Sequence, residues 1–358
     1  MNTSLQPNRT AVIGAGLAGA ACARLLDDAG HAVTVFDKSR GAGGRMATRR
    51  ADWVDAAGRP RQARFDHGAP GFAAQSPGFV QAANEALAAG WLGVADSSTL
   101  SGHQHDPATF VGQPDMPQWC RGLLQGLPTF WGEPVQALQR AAGGWRVQRS
   151  DAWGAEVFQR VVLAMPPLQA AALLAPHRAD WAQRAAVVPM QPCWTLMAVA
   201  ATEAPVPPGP ECRPAQGPLA RVLRQHGRTG LEAQAGESHW VAHARAGWNE
   251  LHLEDTPEAV RAALLPALAA AIGMPVNWLH AVVHRWRYAL PPARSADAPA
   301  GPCWWDADLG LGVCGDFFAF DRADAAGGHG VEAAWCSARA LATQCLACAL
   351  ETEAPAHG

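Results

Sequence analysis

This chain has almost no lysine and almost no tyrosine. Lysine and arginine together number 28, yet Lys38 is the only lysine, and Tyr288 is the only tyrosine. A mechanism that needs a lysine amine can therefore use Lys38 alone. The formal net charge is only −3, so the sequence predicts no positive field that would attract nucleic acid.

Long apolar runs are also absent. No stretch approaches the ~20 consecutive apolar residues that span a bilayer, and the opening MNTSLQPNRT lacks the apolar core of a secretion signal. The nine cysteines are an odd number without a paired framework, which is typical of a reducing compartment. We expect a cytoplasmic protein without a membrane partner.

The length and composition predict a globular chain of about two domains. The chain has 358 residues, of which 49% are hydrophobic and 16% charged, and domains usually hold ~100–200 residues. Such a chain can bury a substantial core.

The first forty residues have the pattern of a strand, a helix and a second strand. The predicted strand at Thr10–Ile13 is followed by Gly14-Ala15-Gly16-Leu17-Ala18-Gly19, a helix to about Ala29, and a strand at His31–Phe36 that ends before Asp37. Gly14 permits a tight turn, Gly16 lets a phosphate approach the backbone, and Gly19 lets the helix pack closely. The helix start at Leu17 and Ala18 supplies N–H groups for a pyrophosphate. These features predict a dinucleotide-binding site.

Asp37 disfavours a phosphate on the ribose of the bound dinucleotide because of charge repulsion, but it does not distinguish NAD from FAD. A second glycine-rich loop follows at once, from Ser39 to Thr48. Its Gly44-Arg45-Met46 resembles the loop that approaches the FAD pyrophosphate in flavoproteins with two dinucleotide domains, where arginine matches phosphate oxygens. Lys38 lies between the two loops and is included among the candidate cofactor-binding residues.

A third candidate element lies near the C-terminus. Gly315-Asp316 ends an apolar strand, as in many FAD enzymes in which the aspartate binds the ribityl chain. After the glycine-rich segment Ala326–Gly330, residues Val331, Glu332 and Ala333 open the last helix. Their N–H groups could stabilise negative charge on a reduced flavin.

The rest of the chain is strand-rich in its centre. Helices are predicted at Phe79–Ala89, Pro114–Leu124, Pro257–Ile272 and Gly330–Leu350, strands at Trp145–Gln148, Glu156–Ala164, Cys193–Ala201, His239–Arg245, Val276–Tyr288 and Gly310–Cys314, and proline-rich loops at Pro205–Pro218 and Pro291–Pro302. This order suggests a nucleotide-binding domain that is interrupted by a second domain.

Eight segments together resemble the bacterial renalase-like flavoproteins of the flavin amine oxidase superfamily. They are FDKSRGAGGRMATRR, FDHGAPGF, FVGQPDMP, LAMPP, PCW, HRWRYALP, CGD and GVEAAW, in this order, and the similarity runs from about Ala11 to Leu341. It implies a two-domain α/β (α+β) fold of the p-hydroxybenzoate-hydroxylase type. A Rossmann-like FAD-binding domain (1–70, 127–170 and 303–358) would be interrupted by an antiparallel-sheet substrate domain (71–126 and 171–302).

The resemblance also implies an activity and a cofactor. Bacterial renalases use one non-covalent FAD to oxidise misreduced isomers of NAD(P)H, chiefly the 1,2-dihydro form, to NAD(P)⁺, and dioxygen then yields hydrogen peroxide. The residues fit this reading, because amine oxidases typically hold a lysine near the reactive flavin nitrogen, whereas Lys38 adjoins the ribose acid Asp37. A dihydropyridine needs mainly positioning, since aromatisation drives hydride transfer.

The chain departs from this family in places that concern the substrate. Pro70-Gly71-Phe72 stands where relatives often carry Gln-Tyr-Phe. Ser337-Ala338 stands where the last helix of relatives usually has Ser-Gly. Gln225-His226-Gly227-Arg228 stands at the position related to their Lys-Pro-Gly-Arg. An aromatic residue of the substrate pocket is therefore expected to be missing at Gly71. The residues proposed to line the pocket are Phe72, Trp194, Trp240, Arg285, Trp286 and Tyr288, although core packing also explains each aromatic.

Other residues have weaker signals. Arg224 and Arg228 could bind a substrate pyrophosphate or form a solvated turn. His103-Gln104-His105-Asp106 has metal-ligand residue types but no second ligand group, so no metal is predicted. Cys345 and Cys348 suit a buried helix rather than a redox pair, and His67 suits a structural role.

Three functions stay open at this point: the dihydronicotinamide-isomer oxidase, another flavin oxidase or desaturase acting on an amine or polyene, and a flavin-binding protein without turnover. The expected partners of the first are its small-molecule substrate and dioxygen. The oligomeric state is not predicted.

Overall fold

The computed structural model describes residues 8–95, 109–150, 152–201, 211–225, 236–273, 275–291, 299–318 and 329–351. The helices are α1 (Leu17–Asp28), α2 (Pro77–Ala88), α3 (Gln118–Leu123), α4 (Pro167–Leu174), α5 (Ala179–Ala186), α6 (Ala246–Leu251), α7 (Pro257–Ile272) and α8 (His329–Glu351), with a 3-10 turn at Gly44–Met46. The strands are β1 (Arg9–Ile13), β2 (Ala32–Asp37), β3 (Thr48–Val54), β4 (Pro60–Asp66), β5 (Phe72–Ala73), β6 (Leu92–Val94), β7 (Thr109–Gly112), β8 (Thr129–Trp131), β9 (Val135–Ala141), β10 (Gly144–Arg149), β11 (Ala152–Trp153), β12 (Arg160–Leu163), β13 (Gln191–Ala201), β14 (Glu211–Cys212), β15 (Leu219–Arg224), β16 (Glu237–Ala244), β17 (Asn277–Leu290), β18 (Trp304–Asp306) and β19 (Leu311–Val313).

The chain divides into two compact units. Unit 1 consists of Met1–Gly44, Trp119–Pro189 and Ala293–Gly358, and unit 2 of Arg45–Gln118 and Met190–Pro292. Each unit therefore contains segments that are distant in sequence.

Unit 1 is built on a six-stranded sheet in the order β18-β19-β12-β1-β2-β8. All neighbours are parallel except β18 and β19. The central strand β1 is buried from Thr10 onward and apolar from Ala11 to Ile13, as expected of a strand covered on both faces. Helices α1 and α8 pack against each other, and a separate antiparallel sheet has the order β11-β10-β9.

Unit 2 is built on an antiparallel sheet in the order β14-β15-β16-β13-β17. Helix α7 covers one face, where its buried Val260, Leu264 and Leu268 join a core with Leu196 and Ala242. The β3–β4 hairpin covers the other face through a second cluster, formed by Ala51, Ala63, Phe65, Met197, Val199 and Val241. Strands β5, β7 and β6 form a small third sheet.

The predicted mixed α/β architecture with a central antiparallel sheet is confirmed. The helix predicted at Pro257–Ile272 has these bounds, with Thr256 Oγ1 accepting a hydrogen bond from Ala259 N–H as its N-cap. Among the described residues, none of the helices has both the length and the apolarity needed to span a bilayer.

Two predicted elements are about half as long as expected. The helix predicted from Pro114 begins only at Gln118, because Asp115 precedes it in a turn and accepts the Gln118 N–H through its carbonyl. The strand predicted at Glu156–Ala164 is confined to Arg160–Leu163, since Phe158 pairs with Trp145 instead.

Candidate functional site

The first glycine loop is a turn that only glycine can make. Gly14 has a φ of +114°, and a Cβ there would lie 2.2 Å from the Ala164 carbonyl oxygen. A Cβ on Gly19 would lie 1.8 Å from the Gly14 carbonyl oxygen. Helix α1 therefore packs directly onto the turn that follows β1, as the sequence predicted.

The N-terminus of α1 has the form of an anion cradle. No side chain caps the helix at Gly16, and its first turn contains no acidic residue. The residues that begin it, Leu17 and Ala18, are buried. Because the first N–H groups of a helix lack partners within the helix, this end can bind a phosphate.

The second glycine loop lies directly beside the first. Gly43 N–H donates to the Ala15 carbonyl over 2.9 Å, and Gly16 and Gly43 form a parallel bridge. Gly44 has a φ of +53°, and a Cβ there would lie 3.2 Å from the Gly16 Cα. The two loops, which the sequence identified separately, therefore form one glycine-lined surface.

Asp37 connects this surface to the end of β2. Its carboxylate accepts the Ala15 N–H over 2.6 Å and the Ser39 N–H over 2.7 Å. A carboxylate offers about four acceptor positions, so room remains for the hydroxyls of a ribose. The neighbouring Lys38 is exposed and donates to the Gln169 side chain over 3.2 Å.

The C-terminal candidates belong to the same unit. Asp316 is buried after β19, and the preceding Gly315 N–H donates to Ser337 Oγ, which itself donates to the Pro302 carbonyl. Ser337, predicted only as part of a departure from the family, thus holds this segment in place. Of the predicted residues in the first turns of α8, Val331 and Ala333 are buried and Glu332 is partly exposed.

These residues of unit 1 fit a dinucleotide. An uncapped helix N-terminus, two adjoining glycine turns without Cβ atoms, and an aspartate with spare acceptor capacity are the groups that a pyrophosphate and a ribose need.

Arg45 and Met46 complete the 3-10 turn but belong to unit 2. The Arg45 guanidinium donates to the Ala289 carbonyl over 3.1 Å. Its own carbonyl accepts the Ala69 N–H, and a Cβ on Gly68 would lie 1.9 Å from that oxygen. The backbone of the predicted phosphate-binding arginine is thereby held against Gly68 and Ala69.

Three of the predicted pocket residues lie on the helix-covered face of the five-stranded sheet. Trp194 is buried and donates its indole N–H to the His252 carbonyl, and Trp240 donates to Ser238 Oγ. Arg285 lies over Trp194 and pairs with Glu254. The structure places these three in packing and loop-fixing contacts.

Trp286 lies on the opposite face, in a group that we call the histidine cluster: His67, His243, His284 and Trp286. The Trp286 indole and the His243 ring both approach the His67 carbonyl, at 3.2 and 3.3 Å. The ring centroids of His67 and Trp286 are 4.8 Å apart, and those of His284 and Trp286 are 4.4 Å apart. Trp286 is partly buried, and its indole ring lies against the imidazoles of His67 and His284.

The imidazoles of the cluster are neutral at neutral pH. Burial, with smaller contributions from neighbouring cationic and imidazole groups, lowers the pKa of His67 to about 3. Burial lowers the pKa of His243 and of His284 to about 4, assisted by Arg221 and by Arg49 respectively. Each neutral ring offers one donor and one acceptor.

Phe72, Tyr288 and Gly71 have separate positions. Phe72 is buried against Phe79 and Phe110, whereas Tyr288 is partly exposed two residues beyond Trp286 on β17. A Cβ on Gly71 would lie 2.9 Å from Thr109 Cγ2 and 3.1 Å from the Phe110 carbonyl oxygen. Strand β7 therefore occupies the space that a side chain at position 71 would fill. This is the position at which an aromatic residue was expected to be missing.

Several weaker candidates fall outside the described residues. They are His103 to Asp106, Arg228 and the side chain of Cys348. Where the structure is described, no three side chains of His, Cys, Asp or Glu are grouped to hold a metal. Arg224 is half-buried at the end of β15, and Cys345 is buried in α8.

Sequence reasoning missed His243, His284 and Arg49. A signal was present, because His239 and His243 on β16, and His280 and His284 on β17, are each four residues apart. In strands such pairs share one face. Both strands therefore carry an imidazole-bearing face.

Comparison with known proteins agrees with this geometry. The NAD(P)-binding Rossmann-like domain family matches residues 12–85. The chain is 38% identical to an L-amino-acid oxidase of Mus musculus over a segment of 64 residues. This segment covers 17% of this chain and 10% of that protein. Over 50 residues the chain is 44% identical to an L-amino acid oxidase of Bothrops pictus, 14% of this chain and 10% of that protein. The chain thus matches about a tenth of the length of these curated relatives.

Solved structures match over nearly the whole chain. Cyclohexylamine oxidase from Brevibacterium oxydans IH-35A has a TM-score of 0.59 at 14% identity, covering 98% of this chain and 100% of that chain. A protein described as a protoporphyrinogen oxidase from Exiguobacterium sp. 255-15 has a TM-score of 0.65 at 13% identity, covering 97% and 100%. The chain shares the two-domain fold of flavin amine oxidase-type structures, with a Rossmann-like dinucleotide-binding domain.

Proposed function

We propose that this protein is an FAD-dependent oxidase that takes a hydride from misreduced, chiefly 1,2-dihydro, isomers of NAD(P)H and regenerates NAD(P)⁺. The assignment of the cofactor rests on the contact between the two glycine loops, in which Gly43 N–H donates to the Ala15 carbonyl. One loop alone suits any dinucleotide, whereas the second loop after Asp37 is the feature that resembles flavoproteins. We propose non-covalent FAD at this surface.

The residues divide the binding task in unit 1. The N-terminus of α1 and the glycine turns would hold the pyrophosphate, and Asp37 the ribose nearest to it. Asp316 and the first N–H groups of α8, at Val331 to Ala333, would hold the ribityl chain and the flavin end. When FAD is bound, its chemistry is acceptance of a hydride from the substrate, followed by transfer of two electrons to dioxygen to give hydrogen peroxide.

The histidine cluster supports a substrate that needs no base. Its imidazoles are neutral because burial lowers their pKa, and the only lysine of the chain donates to Gln169 in unit 1. A dihydropyridine becomes an aromatic pyridinium when it loses a hydride, so the protein must mainly orient it. The Trp286 indole offers a flat surface for such a ring, and neutral imidazoles can bind a carboxamide, which both donates and accepts hydrogen bonds.

An amine oxidase is the second candidate. The similarity to L-amino-acid oxidases over the N-terminal segment and the shared fold of cyclohexylamine oxidase favour it. A protonated amine, however, would meet the cationic Arg49 beside His284. This charge favours the dihydropyridine.

Two assays test the proposal. The purified protein is denatured and its released cofactor identified by chromatography, with free FAD expected. Hydrogen peroxide formation is then measured with borohydride-reduced NAD⁺, with NADH, with cyclohexylamine and with L-leucine. We expect turnover with the first mixture alone; turnover with either amine would establish the second candidate instead.

A pair of variants tests whether the histidine cluster binds the substrate. Trp286→Ala is expected to raise the KM for the isomer mixture, because the ring loses its stacking surface. Trp153→Ala, which removes an exposed tryptophan of unit 1, should leave KM unchanged. Equal KM values for both variants and the wild type would contradict the role of Trp286.

A further inference from the structure

Arg49 lies at the border of the histidine cluster. It belongs to β3, two residues before Ala51, whose side chain packs onto the five-stranded sheet. Because side chains alternate along a strand, Arg49 faces the sheet and Arg50 faces away. Arg49 is half-buried and its guanidinium lies 3.4 Å from His284 Nδ1, whereas Arg50 is exposed.

Three other arginines of the β3–β4 hairpin, Arg59, Arg61 and Arg64, have acidic partners. Arg61 pairs with Glu237, and Arg64 pairs with the buried Asp115. Within the described ranges, no carboxylate lies within ion-pair distance of Arg49. The positive charge of Arg49 is therefore open to neutralisation by an anionic ligand.

The groups around Arg49 are imidazoles that do not neutralise it. Burial lowers the pKa of His67, His280 and His284, and the positive charge of Arg49 lowers each of these pKa values further. These rings therefore stay neutral and can donate hydrogen bonds without adding charge. One guanidinium with neutral imidazole donors is a suitable set for a phosphate oxyanion.

We propose that Arg49 binds a phosphate group of the substrate, and that it thereby selects nucleotide forms of the dihydropyridine over phosphate-free forms. This proposal rests on the function proposed above, since the anionic group of a dihydronicotinamide nucleotide is its phosphate. It adds a specificity-determining residue that the sequence did not identify.

Product analogues separate the phosphate from the ring. Nicotinamide mononucleotide contains both, nicotinamide riboside contains only the ring and sugar, and inorganic pyrophosphate contains only phosphate. Binding of each to the flavin-loaded protein is followed by the change in flavin absorbance and in tryptophan fluorescence. Arg49→Gln should weaken mononucleotide binding by about 10- to 100-fold, the effect of losing a hydrogen bond between charged groups, and should leave riboside binding unchanged.

Two further variants control for folding and for general charge. Arg50→Gln removes a charge from the adjacent exposed position and should change neither Kd. Arg49→Lys keeps the charge without the planar fork, and should bind the mononucleotide with an intermediate Kd. Flavin content and melting temperature of each variant are compared with the wild type, and Arg49→Lys carries the test if Arg49→Gln does not fold.

The outcomes distinguish this proposal from the proposed function. If Arg49→Gln binds the mononucleotide as tightly as the wild type does, the assignment of Arg49 is overturned. If pyrophosphate binding depends on Arg49 but no dihydropyridine reduces the flavin, the anion site stands and the proposed substrate fails. If the wild type binds neither phosphate compound, the anion site is rejected whatever the flavin does.

Discussion

At the scale of single residues, glycine positions explain most of what the sequence allowed us to predict. Gly14 and Gly19 lie where a Cβ would meet backbone atoms at 2.2 and 1.8 Å. Such positions are recognisable because no other residue satisfies them. Arg49 and His284 were missed for the opposite reason: their significance comes from a neighbour more than two hundred residues away, which no local pattern encodes.

Asp37 and Asp316 should each be required for flavin retention. Replacement of either by Ala removes carboxylate acceptors at the proposed ribose and ribityl positions, and Asp37→Ala also frees the Ala15 N–H. We expect less bound flavin after gel filtration, measured as the ratio of flavin to protein absorbance. Asp28→Ala, at an exposed position of α1, is the matched control. Full flavin content in both variants would contradict the assignment.

Gly71 should tolerate no side chain. A Cβ there would lie 2.9 Å from Thr109 Cγ2, so Gly71→Ala should lower the free energy of unfolding by about 1–3 kcal/mol through overpacking. Gly247→Ala, at a helical position with no atom within 4 Å of the added Cβ, should instead stabilise by about 0.5–1 kcal/mol. Urea unfolding measures both free energies. If Gly71→Ala has the same unfolding free energy as the wild type, β7 moves to accommodate the added Cβ.

At the scale of elements, the longer helices and the long strands β13, β16 and β17 were predicted from the sequence. The short helices α4, α5 and α6 and the β3–β4 hairpin were not. Helix α7 has an N-cap, a proline in its first turn and an apolar face. By contrast, β3 and β4 contain four arginines, two aspartates and a glutamine among a few small and apolar residues, a composition typical of an exposed segment. The burial of β3 and β4 depends on the sheet that they cover. Arg49, which faces that sheet, contacts His284 on a strand that is distant in sequence.

The Arg61–Glu237 pair should fix this hairpin to the sheet. The Glu237 side chain is only 4% exposed, and removal of one partner of a buried pair leaves an uncompensated charge. Arg61→Ala should therefore destabilise unit 2 by about 3–5 kcal/mol. Arg59→Ala, which removes a mostly exposed arginine of the same hairpin, should have little effect. A comparable melting temperature for the two variants would contradict the account.

At the scale of the whole molecule, the sequence predicted the fold class more fully than the site. The order of an N-terminal strand–helix–strand unit, a strand-rich centre and a C-terminal helix indicated two domains, and the two-unit α/β architecture is confirmed. That Trp194 and Trp286 lie on opposite faces of one sheet was not predictable. It depends on which face α7 covers, and Trp194 and Trp286 have equally apolar side chains.

Stability should fall as the solution becomes acidic. The folded pKa is lowered to about 4 for His31, His243 and His284 and to about 3 for His67. Between pH ~6.5 and those values the unfolded chain binds protons that the folded chain does not, so the unfolding free energy decreases by about 1.4 kcal/mol per histidine per pH unit. Urea unfolding between about pH 7 and about pH 5 measures this slope. His284→Gln should reduce the slope, and a flat profile for the wild type would show that these imidazoles are not buried in the neutral form.

The central claim is that a dihydropyridine isomer delivers a hydride to FAD bound at the paired glycine loops. Its most direct test is anaerobic mixing of the purified flavoprotein with borohydride-reduced NAD⁺, in parallel with pure NADH, while the flavin absorbance is followed. We predict rapid bleaching by the isomer mixture alone, reversed by air with release of hydrogen peroxide. Absence of bleaching by the mixture would remove this substrate, and equal bleaching by NADH would show that the site does not select the misreduced isomers.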